Sequence, residues 1–387
     1  MGNVESDKLL QQAVLKGGVP GVVALAANRD GVIYQGAFGH QAIKSDTPMT
    51  IDSVFWIASM SKALTTVAAM QLVEKGKLKL DQPIGNLLPD LTSLKVLEGF
   101  DDYGSPRFRK PIRPITLRHL LTHTSGFAYE FFNADIMNYM LREQIPTVLA
   151  CMDVSLKTPL VHDPGEMWEY GISLDWVGKA IEAASGQSLN DYLRDNVFVP
   201  LGMNDTVFII RPAMRSRLAA MHQREADGAL TRIAFEMPQE PEFFMGGGGL
   251  YSTGGDYLKF LQMLLHGGTL NGVRILQAET VKEMGSNQIG EINVGPLKSA
   301  IPSLSNDAEF FPDMVKKWGL GFMLTTEDAP TGRSATSMSW VGVCNSFFWV
   351  DPIKQVVGVL LTQILPFADD QAMDLFAKFE TSIYKQL

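Results

Sequence analysis

The chain has 387 residues, of which 46% are hydrophobic and 19% charged, a composition that supports a large apolar core and excludes a disordered or collagen-like chain. Its 33 basic and 42 acidic side chains leave a formal charge of -9, which repels phosphate backbones and anionic lipid heads, so neither nucleic acid nor a membrane is expected as a partner. Cys151 and Cys344 are too few for a disulfide framework and point to free thiols in a reducing compartment.

The N-terminus carries Glu5, Asp7 and Lys8 where a secretory signal needs apolar residues, and no run reaches the roughly 18 apolar residues of a membrane span, so a cytoplasmic location is expected. Met1-Gly2-Asn3-Val4-Glu5-Ser6 satisfies the loose myristoylation pattern, but Ser6 reads equally as a helix N-cap. Leu9, Leu10, Ala13 and Val14 recur at helical spacing and Gly17 closes the segment. Two β-like runs follow, Val22 to Ala27 and Val32 to Phe38, joined by a turn ending in Asp30-Gly31.

From Ser59 to about residue 285 the pattern is mostly helical, as at Ser59-Lys75, Thr116-Thr122, Leu174-Ala184 and Asp256-Leu265. The last part returns to strands at Gly319-Leu324, Ser337-Val341, Ser346-Val350 and Val356-Leu361, then to an amphipathic helix from Asp370 to Tyr384. Segment 291-315 shows no period and reads as loop. Strands at both ends predict an α/β (α+β) fold: one antiparallel sheet built from residues 1-58 and 286-387, with a mostly helical segment 59-285 inserted and a site where the two meet.

Ser59-Met60-Ser61-Lys62 opens a convincing helix, and residues three apart share a face, so the serine hydroxyl and the lysine amine can approach each other. The helix N-terminus and burial both disfavour the ammonium form, which prepares Lys62 as a base for an otherwise weak nucleophile. The tetrad alone means little, because Ser382-Ile383-Tyr384-Lys385 matches it too. Two companions give it weight. Asp163-Pro164-Gly165 turns the chain toward Tyr170 just before a helix, where a nearby cation lowers the phenol pKa for proton shuttling. Ser339-Trp340-Val341-Gly342-Val343 is a strand that can aim a backbone N–H beside Ser59.

These three elements resemble the serine β-lactamase-like superfamily, which includes class C β-lactamases, penicillin-binding proteins and family VIII carboxylesterases. The resemblance spans nearly the whole chain and includes Ile115-Thr116-Leu117-Arg118-His119-Leu120-Leu121-Thr122-His123-Thr124-Ser125-Gly126, Leu80-Asp81-Gln82-Pro83 and Gly248-Gly249-Leu250-Tyr251-Ser252-Thr253. Val96 to Asp102 and Tyr170-Gly171-Ile172-Ser173-Leu174-Asp175-Trp176 look most like family VIII esterases, and also like the fungal acyltransferase that acylates a statin precursor. The resemblance implies Ser59 as nucleophile, Lys62 and Tyr170 as the base pair, and the Ser59 and Val343 N–H groups as the oxyanion hole.

Two departures from the lactamase pattern matter. Tyr170-Gly171-Ile172 replaces Tyr/Ser-x-Asn, leaving Ser173 as a partial stand-in for the orienting amide, and Trp340-Val341-Gly342 replaces Lys-Thr-Gly, which removes the cation for a β-lactam carboxylate. The expected activity is therefore hydrolysis of short- to medium-chain esters through an acyl-enzyme, with acyl transfer to an alcohol as the alternative. β-Lactamase or D-Ala peptidase activity and an inactive binding protein rank below both. Trp340, Gly342, Phe127, Tyr129 and Ser173 are the expected substrate contacts, with Phe131 and Phe132 as further walls.

His119 and His123, four apart, lack the intervening Glu and a third ligand, so they read as capping or core residues, and no metal or cofactor is expected. Met245-Gly246-Gly247-Gly248-Gly249 lacks the Lys-Ser/Thr of a phosphate loop and reads as close backbone packing behind the site. The expected partner is a small-molecule ester, and the expected state a monomer or small homo-oligomer.

Overall fold

The computed structural model describes residues 4-387, so the Met1-Asn3 part of the acylation pattern lies outside the described residues. Ser6 is not an N-cap: it lies within the helix Val4–Leu15, buried, its hydroxyl 2.7 Å from that of Ser382 on the C-terminal helix. The second Ser-x-x-Lys match thus sits in a helix-helix contact rather than a cleft.

A seven-stranded sheet runs in the order Lys316–Trp318, Met323–Thr325, Met338–Gly342, Ser346–Asp351, Val356–Leu361, Gly21–Asn28, Val32–Gly39, with every pairing antiparallel. The two chain ends meet where Leu25 faces Val359. The expected strand Gly319-Leu324 is instead a turn followed by the start of a strand. Gly319 N–H donates to the Phe322 carbonyl, which closes the hairpin between Lys316–Trp318 and Met323–Thr325.

Side-chain alternation assigns the two faces of the sheet. Phe347 and Trp349 point to the C-terminal helix Asp370–Tyr384, where Phe376 stacks on Phe347 at 4.4 Å between centroids. Phe348, one residue along, points the opposite way and meets Tyr257 of the helix Gly254–Leu265. Trp340 is paired with Phe348 in register and so shares its face, toward the helical segment.

The helix Ser61–Glu74 runs through that segment with every residue from Ser61 to Leu72 buried, as its lack of a polar face requires. One apolar core joins it to the sheet. Both cysteines are free and buried, and no helix of the described residues is long and apolar enough to cross a membrane.

Candidate active site

The approach to Ser59 is fixed by Trp56, which ends the short strand Val54–Trp56. Its indole N–H donates to the Gly248 carbonyl at 2.6 Å, and its own carbonyl accepts from Gln363 Nε2 at 2.9 Å and Cys344 Sγ at 3.0 Å. Two residues on, Ala58 takes a left-handed φ of 45°, which costs an L-residue about 1–2 kcal/mol. Ser59 follows inside the 3-10 turn Ala58–Met60, half-buried at the mouth of the long helix rather than within it. Strain at this step is the kind that surrounding structure must hold in place.

Lys62 is fully buried and its amine makes three hydrogen bonds: to Ser59 Oγ at 3.1 Å, Tyr129 OH at 3.0 Å and the Gly247 carbonyl at 2.7 Å. Burial pulls its pKa down to about 7, against a smaller upward pull from Asp175. A fraction of Lys62 is then neutral at neutral pH and able to accept the serine proton.

Tyr170 arrives on the turn at Asp163-Pro164-Gly165, which Arg109 anchors by binding both carboxylate oxygens of Asp163. Its hydroxyl accepts from the Trp340 indole N–H at 2.9 Å, and Lys62 Nζ lies 4.7 Å from its ring centroid. The expected lowering of its pKa does not occur. Burial raises it, outweighing the Ser59 hydroxyl and the Trp340 N–H that both favour the phenolate, so Tyr170 is a neutral phenol at neutral pH.

The strand Met338–Gly342 crosses directly over the Ser59 turn. A methyl group on Gly342 would lie 2.7 Å from the Ile57 carbonyl, so only glycine permits this approach. Neither the Ser59 nor the half-buried Val343 N–H bonds to a backbone carbonyl among the described residues, which leaves both donors for an acyl oxygen.

The remaining expected contacts divide. Tyr129 belongs to the Lys62 network and is 1% exposed, and Phe131 stacks on it at 4.6 Å. Phe132 is half-buried and faces Tyr170 at 6.0 Å. Phe127 is fully buried and stacked on Trp176, a core position rather than a wall. Ser173 Oγ is engaged with Ser125 Oγ at 2.8 Å and fully buried, so it does not replace the missing amide. Trp340 is buried among Tyr170, Trp168 and Trp318.

His119 completes a capping box with Thr116, and His123, past the end of that helix, packs between Tyr170 and Trp318 with its pKa held well below the usual histidine value by burial. Among the described residues no cluster of His, Cys, Asp or Glu could hold a metal ion. The glycine run does pack behind the site, and it also contributes the Gly247 carbonyl that Lys62 binds. Segment 291-315 packs beside the site, with Ala300 N–H bonded to the Phe131 carbonyl and Phe310 against Trp340.

The family model described as Beta-lactamase matches residues 6–382. Among curated proteins, the chain is 34% identical to monacolin J acid methylbutanoyltransferase of Aspergillus terreus, covering 97% of this chain and 94% of that one. It is 32% identical to lovastatin esterase of Penicillium rubens, covering 98% of each. Among solved structures, a mutant simvastatin synthase from Aspergillus terreus superposes with a TM-score of 0.85 at 32% identity, over 98% of this chain and 94% of that one.

Proposed function

Because this chain belongs to the β-lactamase family, we propose that it is an acyltransferase that loads an acyl group onto Ser59 and passes it to the hydroxyl of a small-molecule acceptor. The sequence favours hydrolysis and holds transfer as the alternative, and the relatives support the alternative better. The observation that carries the serine chemistry is the 3.1 Å contact between a buried lysine amine, drawn down to about 7, and Ser59 Oγ.

In the first half-reaction neutral Lys62 takes the Ser59 proton as Oγ bonds to the acyl carbon. The Ser59 and Val343 N–H groups hold the oxyanion. The bond to the leaving group then breaks, and the proton returns to that group by way of the Lys62 and Tyr170 hydroxyl network. In the second half-reaction the acceptor alcohol gives its proton to Lys62, its oxygen attacks the acyl carbon, and Ser59 leaves with the proton restored. Water in place of the alcohol gives hydrolysis, a reading that the lovastatin esterase relative favours. By analogy with the methylbutanoyltransferase, the acyl group is short and branched.

The test is a panel of short acyl thioesters and esters, each with and without bulky secondary alcohols, with products read by mass spectrometry. Transfer predicts acceptor ester in excess over free acid. Free acid alone, unaffected by every alcohol, would make the protein a hydrolase.

A further inference from the structure

Asp175 takes no part in the chemistry above, yet it is fully buried three residues after Ile172, in the first turn of the helix Ser173–Ser185. Its Oδ1 accepts from the Gly247 N–H at 2.8 Å, and its Oδ2 has no hydrogen-bond partner among the described residues. The carbonyl of the same glycine accepts from Lys62 Nζ at 2.7 Å. A methyl group on Gly247 would lie 2.9 Å from both Asp175 oxygens and 2.9 Å from the Tyr129 hydroxyl. Asp175 and Tyr129 therefore close around one residue, and that residue holds the lysine. An acidic side chain with an unpartnered oxygen in a dry interior is costly, and a neutral acceptor would serve the one Gly247 N–H as well, so the charge itself calls for a further role.

We propose that Asp175 is the positioning residue of the general base: it pins the Gly247 backbone whose carbonyl holds Lys62 beside Ser59, and it is the counter-charge to the ammonium that forms when Lys62 takes the serine proton. The inference rests on the reading of Ser59 and Lys62 given above. Without Asp175, proton transfer to Lys62 would create a cation whose direct contacts are a hydroxyl, a backbone carbonyl and the two phenols Tyr129 and Tyr170, with Glu130 as the remaining buried carboxylate near the site, so the effect belongs to the transition state rather than to substrate binding. The groups that act on Asp175 are Lys62, which favours its ionised form, and Glu130, which opposes it, while Asp175 in turn raises the pKa of Tyr129, Tyr170 and Cys151. Burial is the largest influence and pushes the Asp175 carboxyl up to about 6.

Asp175→Asn keeps an acceptor for Gly247 and removes the charge. Two rates are read from pH 5 to 9 on wild type and variant: turnover of p-nitrophenyl butyrate, and labelling of Ser59 by a fluorophosphonate, which needs no acyl acceptor. The proposal predicts kcat lower by on the order of 10-fold or more at the plateau with little change in KM, a smaller loss than the roughly 10²-fold or more expected for removing the base itself. It also predicts that the rise of labelling moves to lower pH, because Lys62 loses the group that favours its protonated form. If Asp175→Asn does not stay folded at the assay temperature, Asp175→Ser is read in the same way. Wild-type kcat and an unmoved labelling profile would overturn the proposal while leaving Ser59 and Lys62 in place. Absence of labelling at Ser59 in the wild type would instead overturn the reading beneath it.

Discussion

The Trp340 indole N–H donates to the Tyr170 hydroxyl at 2.9 Å, joining the sheet to the loop that precedes the helix Ser173–Ser185. Trp340 is thus more than an apolar wall in the place of the missing lysine. Because the tyrosine oxygen accepts from the indole, its own proton is left to point elsewhere. Trp340→Phe, which keeps a large ring and removes the donor, is expected to lower kcat on p-nitrophenyl butyrate by about 10-fold with a smaller change in KM. A change confined to KM would return Trp340 to the role of a wall.

Two tyrosines flank the lysine in different ways, and their variants should differ. Lys62→Ala removes the base and is expected to lower kcat by on the order of 10²-fold or more. Tyr170→Phe should approach that loss, and the double variant should fall well short of the product of the two, since groups that act as a unit are not additive. Tyr129→Phe leaves Lys62 with the Ser59 and Gly247 contacts, so its loss should be smaller. Equal effects for the two tyrosine variants would mean that Tyr129 lies on the proton path itself.

The pH dependence follows from Lys62. Its neutral form is the base, and burial places its pKa at about 7, so kcat/KM should rise with pH through about 7 and then level. Tyr170 is raised by burial and His123 is held well below its usual value, so neither should add a second limb near neutrality, whereas Asp175, pushed up to about 6 by burial, should steepen the acid side of the profile. A rate that falls between pH 6 and 8 would show that the protonated lysine is the active form.

The sheet from both chain ends was legible because its strands are apolar runs bounded by turns, and the approach of Lys62 to Ser59 was legible because the two stand three apart at a helix start. Tertiary contacts account for what was missed. Asp175 sits between Leu174 and Trp176 at a helix start, where an acidic residue needs no explanation beyond the helix dipole. The bond from Trp340 to Tyr170 spans 170 residues. Tyr170 was expected to titrate low because a cation lies near it, and burial, which no local pattern shows, wins instead. Phe127 was expected as an apolar wall and Ser173 as a stand-in for the missing amide, whereas their partners Trp176 and Ser125 draw them into the core.

Stability has its own test at the sheet's outer face. Arg333 binds both carboxylate oxygens of Glu380 at 2.6 and 3.0 Å, with 2% and 1% of the side chains exposed. Removing one partner leaves an uncompensated buried charge, so Glu380→Ala should cost about 3–5 kcal/mol, read from the urea midpoint. A loss below about 1 kcal/mol would mean that water reaches the pair.

The central claim is that Ser59 carries the acyl group, and rapid quench of the enzyme during turnover of p-nitrophenyl butyrate tests it most directly. Intact mass should increase by one butyryl group, and peptide mapping should place that group on Ser59, with no adduct in Ser59→Ala. An acyl adduct on any other residue, or steady turnover by Ser59→Ala, would contradict the account.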